Sequence, residues 1–233
     1  MLAAVGWGAL AASSLVVGVL LAFARRWPDQ LVGLVLAFGA GALISAISYE
    51  LFLEAGRAGG LDTAAIGLAI GALTYYALNT LIGRRSATGS GAGPALALGA
   101  FLDGVPEQTA LGIGLASGEG VGVGLLVAIF VSNLPEAIGS ATDMERAGTG
   151  RHTIRRLWVA VAAICTLATV VGYAAADATG GDFKAIINGF AAGALIVMLI
   201  DTMIPEATKD AGPTAGLVTT LGFAVATALS AVS

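Results

Sequence analysis

Polar residues are sparse in this chain and fall in clusters, leaving apolar stretches of about twenty residues between them. Eight stretches stand out, at about 2–24, 30–53, 61–82, 94–116, 121–142, 155–176, 184–205 and 213–232. Roughly 20 apolar residues suffice for a helix to cross the hydrocarbon of a bilayer. The stretches are continuous and rich in Leu and Ala, without the ten-residue alternation of a transmembrane β-barrel. The predicted fold class is therefore an all-α membrane protein of eight transmembrane helices, one domain over 1–233. Short linkers leave no room for a soluble domain. The first stretch has no basic residue ahead of it, and Arg25 and Arg26 follow it, so it reads as a helix rather than a signal peptide.

Composition agrees with this pattern. The chain is 57% hydrophobic and 11% charged, against about 25% charged in a soluble domain. Cys165 is the single cysteine, which excludes an intrachain disulfide and reads as a small apolar packing residue. His152, the single histidine, lies among arginines and reads as a solvated loop residue.

Charge adds an orientation. The linkers after the first, third, fifth and seventh stretches hold nine of the 11 basic residues, and only Arg57 and Lys184 fall elsewhere. Cytoplasmic loops are enriched in Lys and Arg, so both termini are expected on the outer face of a multi-pass cell-membrane protein. The segment 83–93, "GRRSATGSGAG", reads as a flexible linker between the first three stretches and the rest.

An internal echo follows. "FGAGALISAISYELFLEA" at 38–55 and "FAAGALIVMLIDTMIPEA" at 190–207 share eight of 18 positions, among them Phe38, Gly41 and Glu54. Three stretches precede the central pair (about 94–142) and three follow it, so the repeats would be inverted in topology. Inverted repeats with broken helices and a midplane site are a transporter design. The central pair carries a second echo, "DGVPE" at 103–107 and "SNLPE" at 132–136.

The acids carry the candidate chemistry. Glu50, Asp103, Glu107, Glu136 and Asp201 fall within the stretches, and no Lys or Arg lies well inside one. An ionisable side chain at the bilayer centre costs about 2.5–3.5 kcal/mol on insertion scales, so protonation, water or a bound cation must offset it. Proline removes the hydrogen bond to the carbonyl four residues back. Pro106, Pro135 and Pro205 would thus free the carbonyls of Leu102, Val131 and Asp201, each about one turn from an acid. Carboxylates, amide oxygens and bare carbonyls are ligands of divalent cations. The candidate metal ligands are Asp103, Glu107, Ser132, Asn133 and Glu136. Glu50, Asp201 and Glu206 would line a transport path across the membrane.

At these residues the sequence resembles the ZIP (Zrt-, Irt-like) family of divalent metal transporters. The resemblance implies eight spans, outward termini and a three–two–three arrangement with inverted repeats. It also implies a metal site, often binuclear, built from H-N-x-P-E-G-like motifs on the fourth and fifth spans. Glu107 and Glu136 match the ligating glutamates of the family, and Asn133 matches an Asn often found before the second Pro-Glu. Asp103 stands where the family usually has His, Gly104 where it has Asn, and Ser132 where it often has His or Gln. The sixth stretch has no acid, and the third linker has no His.

The expected function is transport of a divalent ion (Zn, Mn, Fe, Co or Cd) as substrate, not enzymatic catalysis. The "TGGD" at 179–182 lacks the first Gly of the G-x-G-D motif of intramembrane aspartyl proteases. The alternative is a metal- or proton-sensing membrane protein of the same fold that does not transport. Expected partners are membrane lipid and divalent ions, with a homodimer allowed and no nucleic acid.

Overall fold

The computed structural model describes residues 1–87, 92–116, 123–177 and 180–231, with side chains undescribed at 82–87, 92–103 and 177. The described residues are helical throughout, apart from short turns, and contain no strand. The helices are α1 (Leu2–Ala24), α2 (Asp29–Gly59), α3 (Leu61–Ala87), α4 (Ala92–Ala116), α5 (Val123–Arg146) and α6 (Arg151–Asp177), then α7 (181–211) and α8 (Ala215–Ser230). Six apolar helical stretches within the described residues are long enough to cross a membrane, the last being Gly181–Ser230. That last stretch is turned by Gly212, whose φ of 63° is a left-handed conformation open to glycine. Gly60 and Gly148, at φ 88° and 87°, end α2 and α5 in the same way.

Two helices carry a local break. In α2, residues Ile47–Phe52 form a π-helical turn, and in α7 Leu199–Met203 do the same. Leu199 is 152 residues after Ile47, the offset of the sequence echo. Pro106 and Pro135 lie inside uninterrupted α-helix, so the breaks fall on α2 and α7 and not at the central prolines. Pro205 follows directly on the turn in α7. The helices also outrun the apolar stretches. α2 and α7 extend beyond residues 53 and 205, where charged side chains can leave the apolar layer while the backbone stays helical. α3 runs to Ala87, so the first residues of the expected flexible linker are helix, while 88–91 lie outside the described residues.

Glycine sets how closely the helices pack. α3 lies along α7, and α8 along α2. A Cβ on Gly41 of α2 would run into the carbonyl oxygen of Thr219 on α8, and one on Gly193 of α7 into that of Leu68 on α3. Gly71 of α3 meets the carbonyl of Phe190, and Gly222 of α8 meets that of Phe38. Gly193 and Phe190 stand 152 residues after Gly41 and Phe38, and Thr219 and Gly222 stand 151 after Leu68 and Gly71. The α2–α8 pair and the α3–α7 pair are therefore built on one contact pattern. Small residues at such seams let backbones approach, which membrane helices use in place of a hydrophobic driving force.

The two largest apolar clusters among the described residues organise the bundle, beside a small third one at Ala55, Ala64 and Ala185. The larger joins Leu36, Leu43 and Leu51 of α2 with Leu111 of α4, Ile129 of α5 and Leu195 of α7. The smaller joins Leu15 and Val19 of α1 with Ala137 and Met144 of α5 and with Trp158 and Cys165 of α6. Cys165 is fully buried there, as a packing residue would be.

Candidate metal centre

The helix α5 passes through both clusters. Leu125, Ala128 and Ile129 belong to the larger, Ala137, Ala141 and Met144 to the smaller. Between them come Ser132 and Asn133, exposed by 0% and 2%, and the half-buried Glu136. On the neighbouring α4, Glu107 is exposed by 1% and Gln108 by 0%. The two Pro-Glu motifs thus set a polar layer at the seam between two apolar cores. Helical spacing accounts for the grouping, since residues three and four apart share a face and Ser132, Asn133 and Glu136 are so related.

Each buried group is oriented by its own helix or a neighbour. The Ser132 hydroxyl donates to the carbonyl of Ile129 at 3.1 Å, which leaves its oxygen lone pairs for another partner. Gly39 of α2 rests on Ser132: a Cβ at 39 would come 2.9 Å from the Ser132 Cα. The Asn133 amide nitrogen is buried with no hydrogen-bond partner among the described residues. Burying such a donor costs free energy unless a carboxylate or another acceptor meets it. Glu107 and Glu136 both take part in further polar interactions within the fold.

The α4 face towards α6 is also polar. Thr169 Oγ1 donates to Gln108 Oε1 at 2.6 Å, and both residues are fully buried. A Cβ on Gly104 would come 2.6 Å from Cys165 Sγ. The space that an Asn at 104 would need is therefore held by α6. Gln108 and Thr169 were not among the sequence-derived candidates. Their only sequence signals are adjacency to Glu107 and, beside Thr166, a second Thr in an apolar run, and Thr commonly bonds its own helix.

The remaining candidates are placed apart. Asp103 lies on α4 one turn before Glu107, with its side chain outside the described residues. Among the described residues, no three His, Cys, Asp or Glu side chains group closely enough to hold a metal ion. Glu50 stands at one end of the bundle, where its carboxylate accepts from the Leu125 amide at 3.1 Å and from the Ser230 hydroxyl. Asp201 is exposed on the π-helical turn of α7. Glu206 lines a cavity of about 690 Å³ at the opposite end from Glu50. Glu50 and Glu206 thus stand towards opposite ends of the bundle.

That cavity is where the basic residues collect. Arg25, Arg26, Arg146 and Arg151 line it together with Asp143 and Lys209. Arg151 pairs with Glu145 at 2.6 Å and lies over the Phe23 ring at 5.1 Å, and Arg146 pairs with Asp143 at 3.3 Å. The α5 wall of the cavity begins at Ile138 and Gly139, two residues after Glu136. A Cβ on Gly139 would lie 3.7 Å from Glu206 Oε1. From the basic end, the cavity therefore reaches the edge of the polar layer. The chain matches no family model and no curated protein.

Proposed function

We propose that this chain is a ZIP-like divalent metal cation transporter. In this reading its eight helices are spans in a three–two–three arrangement with inverted repeats, and both termini face outward. The substrate ion binds at mid-depth to Glu107 and Glu136, with Asp103, Ser132 and Asn133 completing an oxygen donor set. The observation that carries the reading is the polar layer itself. Two Pro-Glu motifs place Glu107 on α4 and Ser132 and Asn133 on α5, all buried between the two apolar cores, where holding a carboxylate is costly. A divalent cation offsets that cost directly.

The repeated glycine contacts and the matching π-helical turns support the inverted-repeat arrangement. The cavity at the basic end supports a path from the layer to the cytoplasm, with Glu206 on its wall. Transport then needs the helices to rearrange so that the layer meets each side in turn. Uptake into proteoliposomes across a panel of Zn, Mn, Fe, Co, Cd and Mg tests the proposal. Flux of at least one ion above that of empty liposomes is expected, and no flux of any ion would remove the transport reading.

A further inference from the structure

At the end of the bundle opposite the cavity, Glu50 joins three helices. Glu50 sits in the π-helical turn of α2, and its carboxylate takes the amide hydrogen of Leu125 at 3.1 Å and the hydroxyl hydrogen of Ser230. Leu125 is the third described residue of α5. Glu50 thus holds α5 from a neighbouring helix while it binds the last residue of α8. Ser45 and Thr227, bonded at 2.8 Å, tie α2 to α8 nearby.

The fit is close. A Cβ on Gly124 would collide with both Ser230 Oγ and the Glu50 carboxylate, so an alanine here displaces both side chains. One turn along α5 from Leu125 lie Ala128 and Ile129, both fully buried, and then Ser132 of the polar layer. The repeat puts Thr202 where Glu50 would recur, 152 residues later. The acid therefore does not recur at the matching position of the second repeat.

We propose that Glu50 is a latch, a positioning residue that pins the π-helical turn of α2 to α5 and to the end of α8 and closes this side of the polar layer. It deepens the transport reading by naming what must release before the layer can meet the second side. The contacts themselves do not depend on that reading. Because the carboxylate is already held by two donors, it closes the path instead of relaying a cation along it.

The test uses two variants that break the latch from different sides, Glu50→Ala and Gly124→Ala. First, hydrogen exchange at the Leu125 amide should quicken about tenfold or more in both, as expected on losing a charge-assisted hydrogen bond. Second, a reporter Ser132→Cys is introduced with Cys165→Ala, and a thiol reagent that cannot cross membranes is applied in turn to intact cells and to inverted vesicles. The latched parent should react quickly from one face and slowly from the other. Each latch variant should raise only the slow rate, by about tenfold. An unchanged Leu125 amide, an unchanged slow rate, or a rise from both faces alike would overturn the latch. None of these readouts needs metal flux. A parent that moves no ion would remove the transport reading and leave the latch standing.

Discussion

Gly71 on α3 lies against the carbonyl oxygen of Phe190 on α7, so closely that a methyl group at 71 has no room. The contact recurs between Gly222 of α8 and Phe38 of α2, and a reciprocal pair joins Gly41 with Thr219 and Gly193 with Leu68. In each case the obstacle is a backbone carbonyl, which cannot swing aside as a long side chain can. Gly41→Ala and Gly193→Ala should therefore each cost about 1–3 kcal/mol, the usual range for overpacking. Gly6→Ala, where nothing lies within 4 Å, should be neutral or stabilise by up to about 1 kcal/mol through helix propensity. Thermal unfolding in detergent would read the difference. Equal midpoints for all three variants would mean that the seams are looser than described.

Thr169 and Gln108 form the buried polar link between α6 and α4. Thr169→Val keeps the shape and removes the donor, leaving a buried amide oxygen unpaired at a cost of about 1–3 kcal/mol. Replacing both partners with apolar groups of similar shape can be nearly neutral. Thr169→Val combined with Gln108→Leu should then recover most of the lost stability. A double variant as unstable as the sum of the two single ones would argue that Gln108 has a second role beside Glu107.

Glu107 and Glu136 are the proposed ligands with charge. Glu107→Gln and Glu136→Gln keep the volume and remove the charge. Metal uptake should fall to about a hundredth of the parent or less, given that even outer-shell partners of a metal cost 10–100-fold. Elution as a monodisperse peak and an unchanged helical signal would show that the fold survives. Near-parental uptake by both variants would move the site elsewhere.

Asp103→His should shift selectivity towards Zn and Cd relative to Mn, by on the order of tenfold. Imidazole suits Zn, whereas carboxylate and carbonyl oxygens suit Mg, Ca and Mn. Competition uptake with paired ions gives the ratio. An unchanged Zn-to-Mn ratio in a variant that still transports would show that Asp103 does not touch the ion.

Orientation can be checked without flux. The nine-to-two division of basic residues predicts outward termini. A cysteine placed at either end should react with an impermeant reagent on intact cells. Reaction only after permeabilisation would reverse the topology.

Helical class and approximate helix limits were legible in the sequence, because long apolar runs without alternation leave the backbone no other way to satisfy its hydrogen bonds in lipid. The 152-residue echo was legible too, and it falls on the helices that carry the matching turns. The turns themselves were not. Pro205 signals the one in α7, but the corresponding position in α2 is Leu53, so the break at Ile47–Phe52 comes without a proline. Pro106 and Pro135, the stronger local signals, are carried inside continuous helix. The residues Glu107, Ser132, Asn133 and Glu136 could be named from motif spacing, since three- and four-residue steps define a helix face. Which face looks at a neighbour, and which neighbour, is a property of packing between helices far apart in the chain. That is why Gln108 with Thr169, Gly104 with Cys165, and the cavity below Glu136 emerge only from the tertiary structure. Glu50 carries the same lesson at the bundle end. As a lone acid in an apolar run it reads as a stop on an ion path, and only the approach of α5 and α8, 75 and 180 residues away in the chain, gives its carboxylate the two donors that hold it.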